Sequence, residues 1–345
     1  MKFAYMPDTH GGPYDQPMPD RDRCADFCDH LVQEAVTAEE AGFDGAFVPE
    51  RHARTETMWP QTLMALLAMA QRTERIKLGS YVVQPAYYNP AHFAEQVALV
   101  DQVSRGRLVL GVGSGYHAGY FAHFGEPFDQ RLGRFLETIS FMDRAWQGER
   151  FDWDGRYWQM KDVLINPQPY QEGGPPLWFA ATGEKPIRRA ARMAEAVGLM
   201  AFYTPMDELR GAVDLYRSAC ADEGRDPKVV LLLDGYVGDT YEDARDRFGP
   251  CWEDEVRYYI KWGMLPPTEE IPDIEHATYD RLEKYMILGD ADMAAEAVCR
   301  FRDALEFGDE DWIIFRSRVP KGPSWEHTLE SIQRFGEQVI PRVSQ

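Results

Sequence analysis

The chain has 345 residues, with 37 basic against 57 acidic side chains, a net charge of −20 and 44% hydrophobic residues. The length can bury a sizeable core in one large domain or two medium ones, and the acidic balance argues against nucleic acid and anionic membranes, both of which need basic patches. Cys24, Cys28, Cys220, Cys251 and Cys299 are odd in number and scattered, so a reducing, cytoplasmic setting is expected rather than a disulfide framework.

In chain order, "KFAYM" reads as a first strand and a polar loop runs from Pro7 to Arg23, rich in Gly, Pro and Asp. "MKFAYMPDTHGG" turns polar too early for a signal peptide, and no apolar run approaches the roughly 18 residues of a membrane helix. "CADFCDHLVQEAVTAEEAG" reads as a helix stopped by Gly42, followed by the strand "GAFV". "WPQTLMALLAMAQRT" is a helix apolar nearly all round, so it should be covered on more than one side. The strand "IKLGSYVV" leads to the helix "NPAHFAEQVALVDQVS", with Asn89 as cap and Pro90 at its first position.

"RLVLGV" is a fourth strand and "DQRLGRFLETISFMDRAWQG" a helix. "FDWDGRYWQM" alternates and carries Asp154-Gly155, so a hairpin is expected as an insertion over about 151–165. "PLWFAA", the helix "EKPIRRAARMAEAVG", "LMAFY", the helix "MDELRGAVDLYRSACADEG", "KVVLLLDGYVG" and "DWIIFRS" continue the alternation, and "SWEHTLESIQRFGEQVIPRV" closes it with a helix. Repeated strand–helix units imply parallel β-structure with right-handed crossovers, and about eight of them match a (β/α)8 TIM barrel; a doubly wound sheet is the alternative. The stretch from Thr240 to Phe307 is too long for one such unit, and the aromatic, acidic part at about 245–290 is expected as a helical insertion over the barrel's C-terminal face.

Gly111, Gly113 and Gly115 follow the fourth strand. A dinucleotide fingerprint would need G-x-G-x-x-G opening a helix, near the start of the unit series, with an acidic residue about 20 positions later at the next strand's end. Here the spacing is G-x-G-x-G, "YHAGYFAHFG" is poor helix material, and the position about 20 on falls near Glu137, inside a helix. Either the strand end passes close to another part of the chain, or a different cofactor approaches it.

The stretch "GSYVVQPAYYNPAHFAEQVALVDQVSRGRLVLGVGSG" resembles the most recognisable segment of the bacterial luciferase-like flavin-dependent monooxygenases. "VPERH" resembles that superfamily's E-H-H, "FGEPFDQRLGRFLE" its F-G-x-x-x-x-x-R segment, and "NPQPYQEGGPPLWFAATGEKPIRRAARMA" the stretch before its phosphate-binding turn. The resemblance runs from about Phe3 to Leu199 and weakens beyond. It implies a (β/α)8 barrel with reduced FMN, or the deazaflavin F420, at the C-terminal strand ends. It also implies reduced flavin reacting with O2 to a C4a-peroxide, oxygenation of a small organic substrate, and a separate NAD(P)H:flavin reductase.

By the same resemblance Glu50, Arg51 and His52 are the catalytic candidates. His52 is expected as the acid–base group, since imidazole titrates near neutrality; Arg51 stands where the family has a second His, and could face an anionic substrate. Ser80, Tyr81 and Val82 should lie beneath the flavin ring, with a cis peptide at Tyr81–Val82. Gly113, Ser114 and Gly115 should meet the flavin. Ser114 replaces the phosphate-binding Arg of the luciferases, so the phosphate should rest on Ala181, Thr182 and Gly183, where a helix start offers free N–H groups; Thr182 could equally serve as that helix's cap. Arg131 and Arg134 are charged neighbours expected to face solvent.

His10, Trp59, Tyr116, His117 and Phe121 could line the substrate side. One His in "PDTHGG" does not make the H-x-H of a metal-dependent barrel hydrolase, so no metal is expected. The rivals are an F420-dependent hydride-transfer oxidoreductase in the same pocket and a non-catalytic flavin-binding partner subunit. A homodimer through "WPQTLMALLAMAQ" and "AHFAEQVALVDQV" is expected from their apolar surface.

Overall fold

The computed structural model describes all residues except Pro13 and Asp15, which fall in the expected loop of residues 7–23, and Gln345. In chain order the elements are β1 (Lys2–Tyr5), α1 (Arg21–Glu40), β2 (Gly45–Val48), α2 (Thr62–Ala70), β3 (Lys77–Ser80), α3 (Pro90–Ser104), β4 (Leu108–Val112), α4 (Ala118–His123) and α5 (Arg131–Ala145). They continue with β5 (Phe151–Asp154), β6 (Gln159–Val163), β7 (Leu177–Ala180), α6 (Glu184–Met193), β8 (Ala196–Met200), α7 (Met206–Asp222), β9 (Val229–Val237) and α8 (Tyr241–Lys261). The chain ends with α9 (Tyr279–Leu282), β10 (Ile287–Gly289), α10 (Ala291–Leu305), β11 (Trp312–Arg316), α11 (Trp325–Arg334) and α12 (Ile340–Val343).

Eight parallel strands, β1-β2-β3-β4-β7-β8-β9-β11, pair around a closed ring, with β11 returning to β1 through Lys2↔Trp312 to Tyr5↔Phe315. This is the (β/α)8 barrel. The hairpin β5–β6 forms a separate two-stranded sheet. Short β10 adds to the upper end of β9, and Gly235 admits it, since a Cβ there would sit 1.8 Å from the Ile287 carbonyl oxygen.

Local signals explain the helices. Asn89 caps α3 by accepting from the Ala91 and His92 amides, with Pro90 behind it. Asp20, Thr240 and Asp290 cap α1, α8 and α10 in the same way. Two boundaries depart from the sequence reading. Helix α1 begins at Arg21, inside the expected loop. Helix α6 stops at Met193, so the sixth barrel strand is "AVGLM" and "AFY" lies beyond it. Ala194 is already extended (ψ 158°), and Gly198 in that strand leaves room for the Tyr81 ring, 2.9 Å from where a Cβ would lie.

The barrel interior is filled by Phe47, Trp178 and Trp312, with Phe47 stacked on Trp178 at 4.9 Å and Trp312 edge-on to both. Gly79 is small because the Phe47 ring occupies its Cβ position. Residues from α8 to β10 add a smaller aromatic cluster of their own, which includes Phe248, Trp252, Ile271 and Leu282. The expected helical insertion is therefore a mix of one long helix, loops and the short strand β10.

Candidate active site

A cavity of about 320 Å3 opens above the aromatic filling, at the C-terminal ends of the strands. Its walls differ in kind.

One wall is built by the ends of β3, β4, β7 and β8. Tyr81, Val82, Gly113, Ser114, Gly115, Ala181, Thr182 and Gly198 line it, and the Tyr81–Val82 peptide is cis. Tyr81 is fixed by its hydroxyl donating to the Leu199 carbonyl at 2.7 Å. A Cβ on Gly113 would lie 3.0 Å from Val82 Cγ2, so glycine keeps this wall flat. Glu50 stands at its edge, buried and saturated with donors: the Gln84 amide and the Tyr87 hydroxyl at 2.7 Å each, and the Tyr88 hydroxyl. Burial first, and then the Glu50 charge, push both tyrosine hydroxyls well above their ordinary range, so they stay protonated donors.

The other wall is charged. Asp8, just past β1, bridges two guanidiniums: Oδ1 accepts from Arg51 Nη1 at 2.9 Å and Oδ2 from Arg316 Nη1 at 3.0 Å. Arg316 Nε donates to Asp234 at the upper part of β9, and Nη1 reaches Glu255 of α8 at 3.4 Å. Tyr14 donates to the other Glu255 oxygen. Burial opposes ionisation of Asp8, but Arg51, His10 and Arg316 together hold its carboxyl well below the usual range. Glu255, where burial outweighs Arg316, is pushed up to about 8. His10 Nδ1 lies 3.2 Å from Asp8, and burial with the Arg51 charge lowers its pKa to about 3, so it is neutral. Behind this layer Arg318 holds the Asp8 and His10 carbonyls and Glu34, the last pushed up to about 7 by burial.

Of the expected site residues, Glu50, Arg51, Tyr81, Val82, Gly113, Ser114, Gly115, Tyr116, Ala181 and Thr182 line the cavity. His52 does not. Its ring is buried among Tyr87, Tyr120 and Phe124, with Nε2 3.4 Å from Glu50 Oε1, because the chain past β2 turns it away from the mouth. Ser80 is buried and donates to the Gly111 carbonyl. Gly183, with φ +80°, is the N-cap of α6, so Thr182 is not its cap. His10 lies beneath the charged wall, Trp59 packs into the outer core, and His117 stacks on Trp262 at 4.6 Å; none of them lines the cavity, nor does the buried Phe121. Arg134 is buried, tied to the Ala86 carbonyl and Glu126, and Arg131 covers Phe128.

Asp8, Asp234, Glu255, Tyr259 and Arg316 were not singled out from the sequence. The usable signal was a charge ending an apolar strand run, as in "LLLD" and "IIFR", which places that charge at the catalytic face of a barrel. Among the described residues no group of three or more His, Cys, Asp or Glu could hold a metal, and no helix is long and apolar enough to cross a membrane.

A family model described as luciferase-like monooxygenase matches residues 1–306. The chain is 24% identical over 92% of its length, and 90% of the relative, to the oxygenase component of a flavin-dependent trigonelline monooxygenase from Acinetobacter baylyi. It is 33% identical to an F420-dependent glucose-6-phosphate dehydrogenase from Amycolatopsis mediterranei, covering 91% of this chain and 94% of that one. Among solved structures, the oxygenating constituent of 3,6-diketocamphane monooxygenase from Pseudomonas putida, in complex with FMN, superposes with a TM-score of 0.82 at 18% identity over 99% and 98% of the two chains.

Proposed function

The chain belongs to the luciferase-like monooxygenase family, and from that premise we propose that it is a flavin-dependent monooxygenase which uses reduced FMN and O2 to oxygenate a small organic substrate. The observation that carries this reading is the two-walled cavity at the barrel mouth, with a flat glycine-bordered wall facing a charged one. The flat wall fits a planar ring system: Tyr81, Val82 and Gly113 would lie against the ring, and the cradle at Gly113 is space that a side chain would fill. Ser114 Oγ and the first-turn amides of α6, at Glu184 and Lys185, would receive the phosphate. Reduced flavin, when bound, supplies the electrons for O2 activation.

The chain's own residues would then orient substrate and exclude water. Arg51 presents donors at the cavity, Glu50 fixes the edge between the walls, and Met264 and Leu265 close the mouth from the segment after α8. His52 would act through Glu50 as a positioning residue. A separate NAD(P)H:flavin reductase would supply reduced flavin, as the name "oxygenase component" indicates for the trigonelline relative. The five cysteines are free thiols, in keeping with a cytoplasmic setting. We also propose a homodimer through α2 and α3, which pack side by side and expose Met64 and Leu99.

The second reading, F420-dependent hydride transfer, is favoured by Ser114 in place of Arg and by the F420-dependent relatives. Anaerobic titration with photoreduced FMN and with reduced F420, followed by admission of air, separates the two. Tight binding of reduced FMN with O2 uptake supports the monooxygenase. Binding of F420 alone, without O2 uptake, overturns it.

A further inference from the structure

The charged wall has donors left over. Arg51 commits Nη1 to Asp8 and Thr9, while Nε and Nη2 have no protein acceptor among the described residues. Arg316 commits Nε and Nη1 to Asp234, Asp8 and Glu255; its Nη2 is buried with no hydrogen-bond partner, on a residue only 1% exposed. Both side chains line the cavity and are pinned by the same Asp8 carboxylate, but Arg316 Nη2 is sealed off within the protein, so the donors left for the cavity are those of Arg51. A buried guanidinium donor without an acceptor is costly. The Arg51 fork, held rigid by Asp8 in a cavity whose lining includes Met6, Met200, Phe202 and Leu232, matches a planar oxyanion on an apolar body.

We propose that the substrate is a small organic carboxylate, its carboxylate seated on the free edge of Arg51, with Arg316 behind Asp8 as a second positive charge, and its apolar body turned toward the flat wall. This deepens the monooxygenase reading and rests on it for the reaction, though not for the binding. In the ring of strands β1, which leads into Asp8, stands opposite β7, which leads into Thr182, so the seat held by Asp8 and the phosphate end lie on opposite sides of the mouth. A phosphate held at α6 therefore leaves Arg51 free for substrate.

Benzoate and benzamide share ring and size and differ in charge, so they serve as probes, titrated calorimetrically into the full-length protein saturated with FMN. Benzoate should bind about 10- to 100-fold more tightly than benzamide, the range expected for hydrogen bonds to a charged partner. Arg51→Gln should abolish most of that preference and leave FMN affinity within about twofold of the parent. Arg316→Gln removes the guanidinium shared by three buried carboxylates and can fail to fold, so Arg51→Lys is the second variant: it keeps the charge, loses the fork, and should lose most of the preference while melting like the parent.

Equal binding of the two probes, binding of neither, or loss of FMN together with benzoate in Arg51→Gln would overturn the proposal, the last by assigning the arginine to the flavin. Inorganic phosphate should not displace benzoate; if it competes more strongly, the seat is a phosphate site and the proposal falls. Should reduced FMN and F420 both fail to bind while the benzoate preference persists, the flavin reading fails and the carboxylate seat stands.

Discussion

The two walls of the cavity solve opposite problems. On the Glu50 side the donors facing the carboxylate are met: Gln84, Tyr87 and Tyr88 converge on it, and the surface beyond includes glycine, valine and tyrosine. On the Arg316 side two arginines share Asp8 and still have N–H groups with nowhere to go. A satisfied wall is a template, giving shape and little affinity for charge. An unsatisfied wall is half of an interaction, held in place by its own ion pairs until the other half arrives. Buried ion pairs are weak evidence of stability, so the charged wall is better explained by what it binds than by what it holds together.

The contrast can be broken most severely at Glu50. Glu50→Ala leaves the buried Gln84 amide and Tyr87 hydroxyl without an acceptor, at roughly 1–3 kcal/mol each, while Tyr88 keeps Gln61, so unfolding in urea should show a loss of at least about 2 kcal/mol. Glu50→Gln, which still accepts, should lose about half as much or less. A Glu50→Ala protein as stable as the parent would show that Gln84 and Tyr87 find other partners and that the wall is not a closed template.

Next is the flatness of that wall. Gly113→Val adds a side chain against Val82 and fills the space assigned to a planar ring. Overpacking of this kind costs about 1–3 kcal/mol, so affinity for reduced FMN should drop about 10- to 100-fold, with benzoate binding to the opposite wall reduced far less. Equal loss of both ligands would merge the two walls into one site.

The charged wall should also register in stability against pH. Glu34 and Glu255, pushed up to about 7 and about 8, hold protons that the unfolded chain has released, so their contribution is present at low pH and is lost as pH rises through those values. His10, pulled down to about 3, works the other way, but only below its unfolded value near 6.5. Above about pH 6.5 the His10 effect is spent, so the melting temperature should decline from there until Glu255 has ionised at about 8, and Glu255→Gln should flatten the upper part of that decline. A flat profile in the parent would remove the charge strain from this account.

The smallest effect is expected at His52. Lying outside the cavity and reaching only Glu50, it should lower turnover by less than about tenfold as His52→Gln, below the 10²–10⁴-fold typical of a direct acid–base group. A larger loss with flavin binding intact would return His52 to the chemistry.

The strands of the barrel were legible because each is a short apolar run bounded by turns, and seven of the eight fall where the runs do. The sixth was misplaced because "AEAVG" continues the α6 pattern, and only the extended Ala194 and the need to admit Tyr81 end the helix early. The flat wall was legible as a contiguous motif, from Ser80 to Gly115. The charged wall was not: Asp8 and Arg316 are 308 positions apart, and only the closure of β11 onto β1 brings them together. His52 was misread for a related reason. Position after a strand predicts the correct end of the barrel, but not which of three consecutive side chains turns inward.

Phe47, Trp178 and Trp312 stop the barrel below the cavity. The room they leave is closed from below and opens at the C-terminal face, so whatever is seated deepest should come in first and go out last. Cofactor and substrate approach from that face on their way to opposite walls, and steady-state kinetics should therefore be ordered, with the second arrival trapping the first.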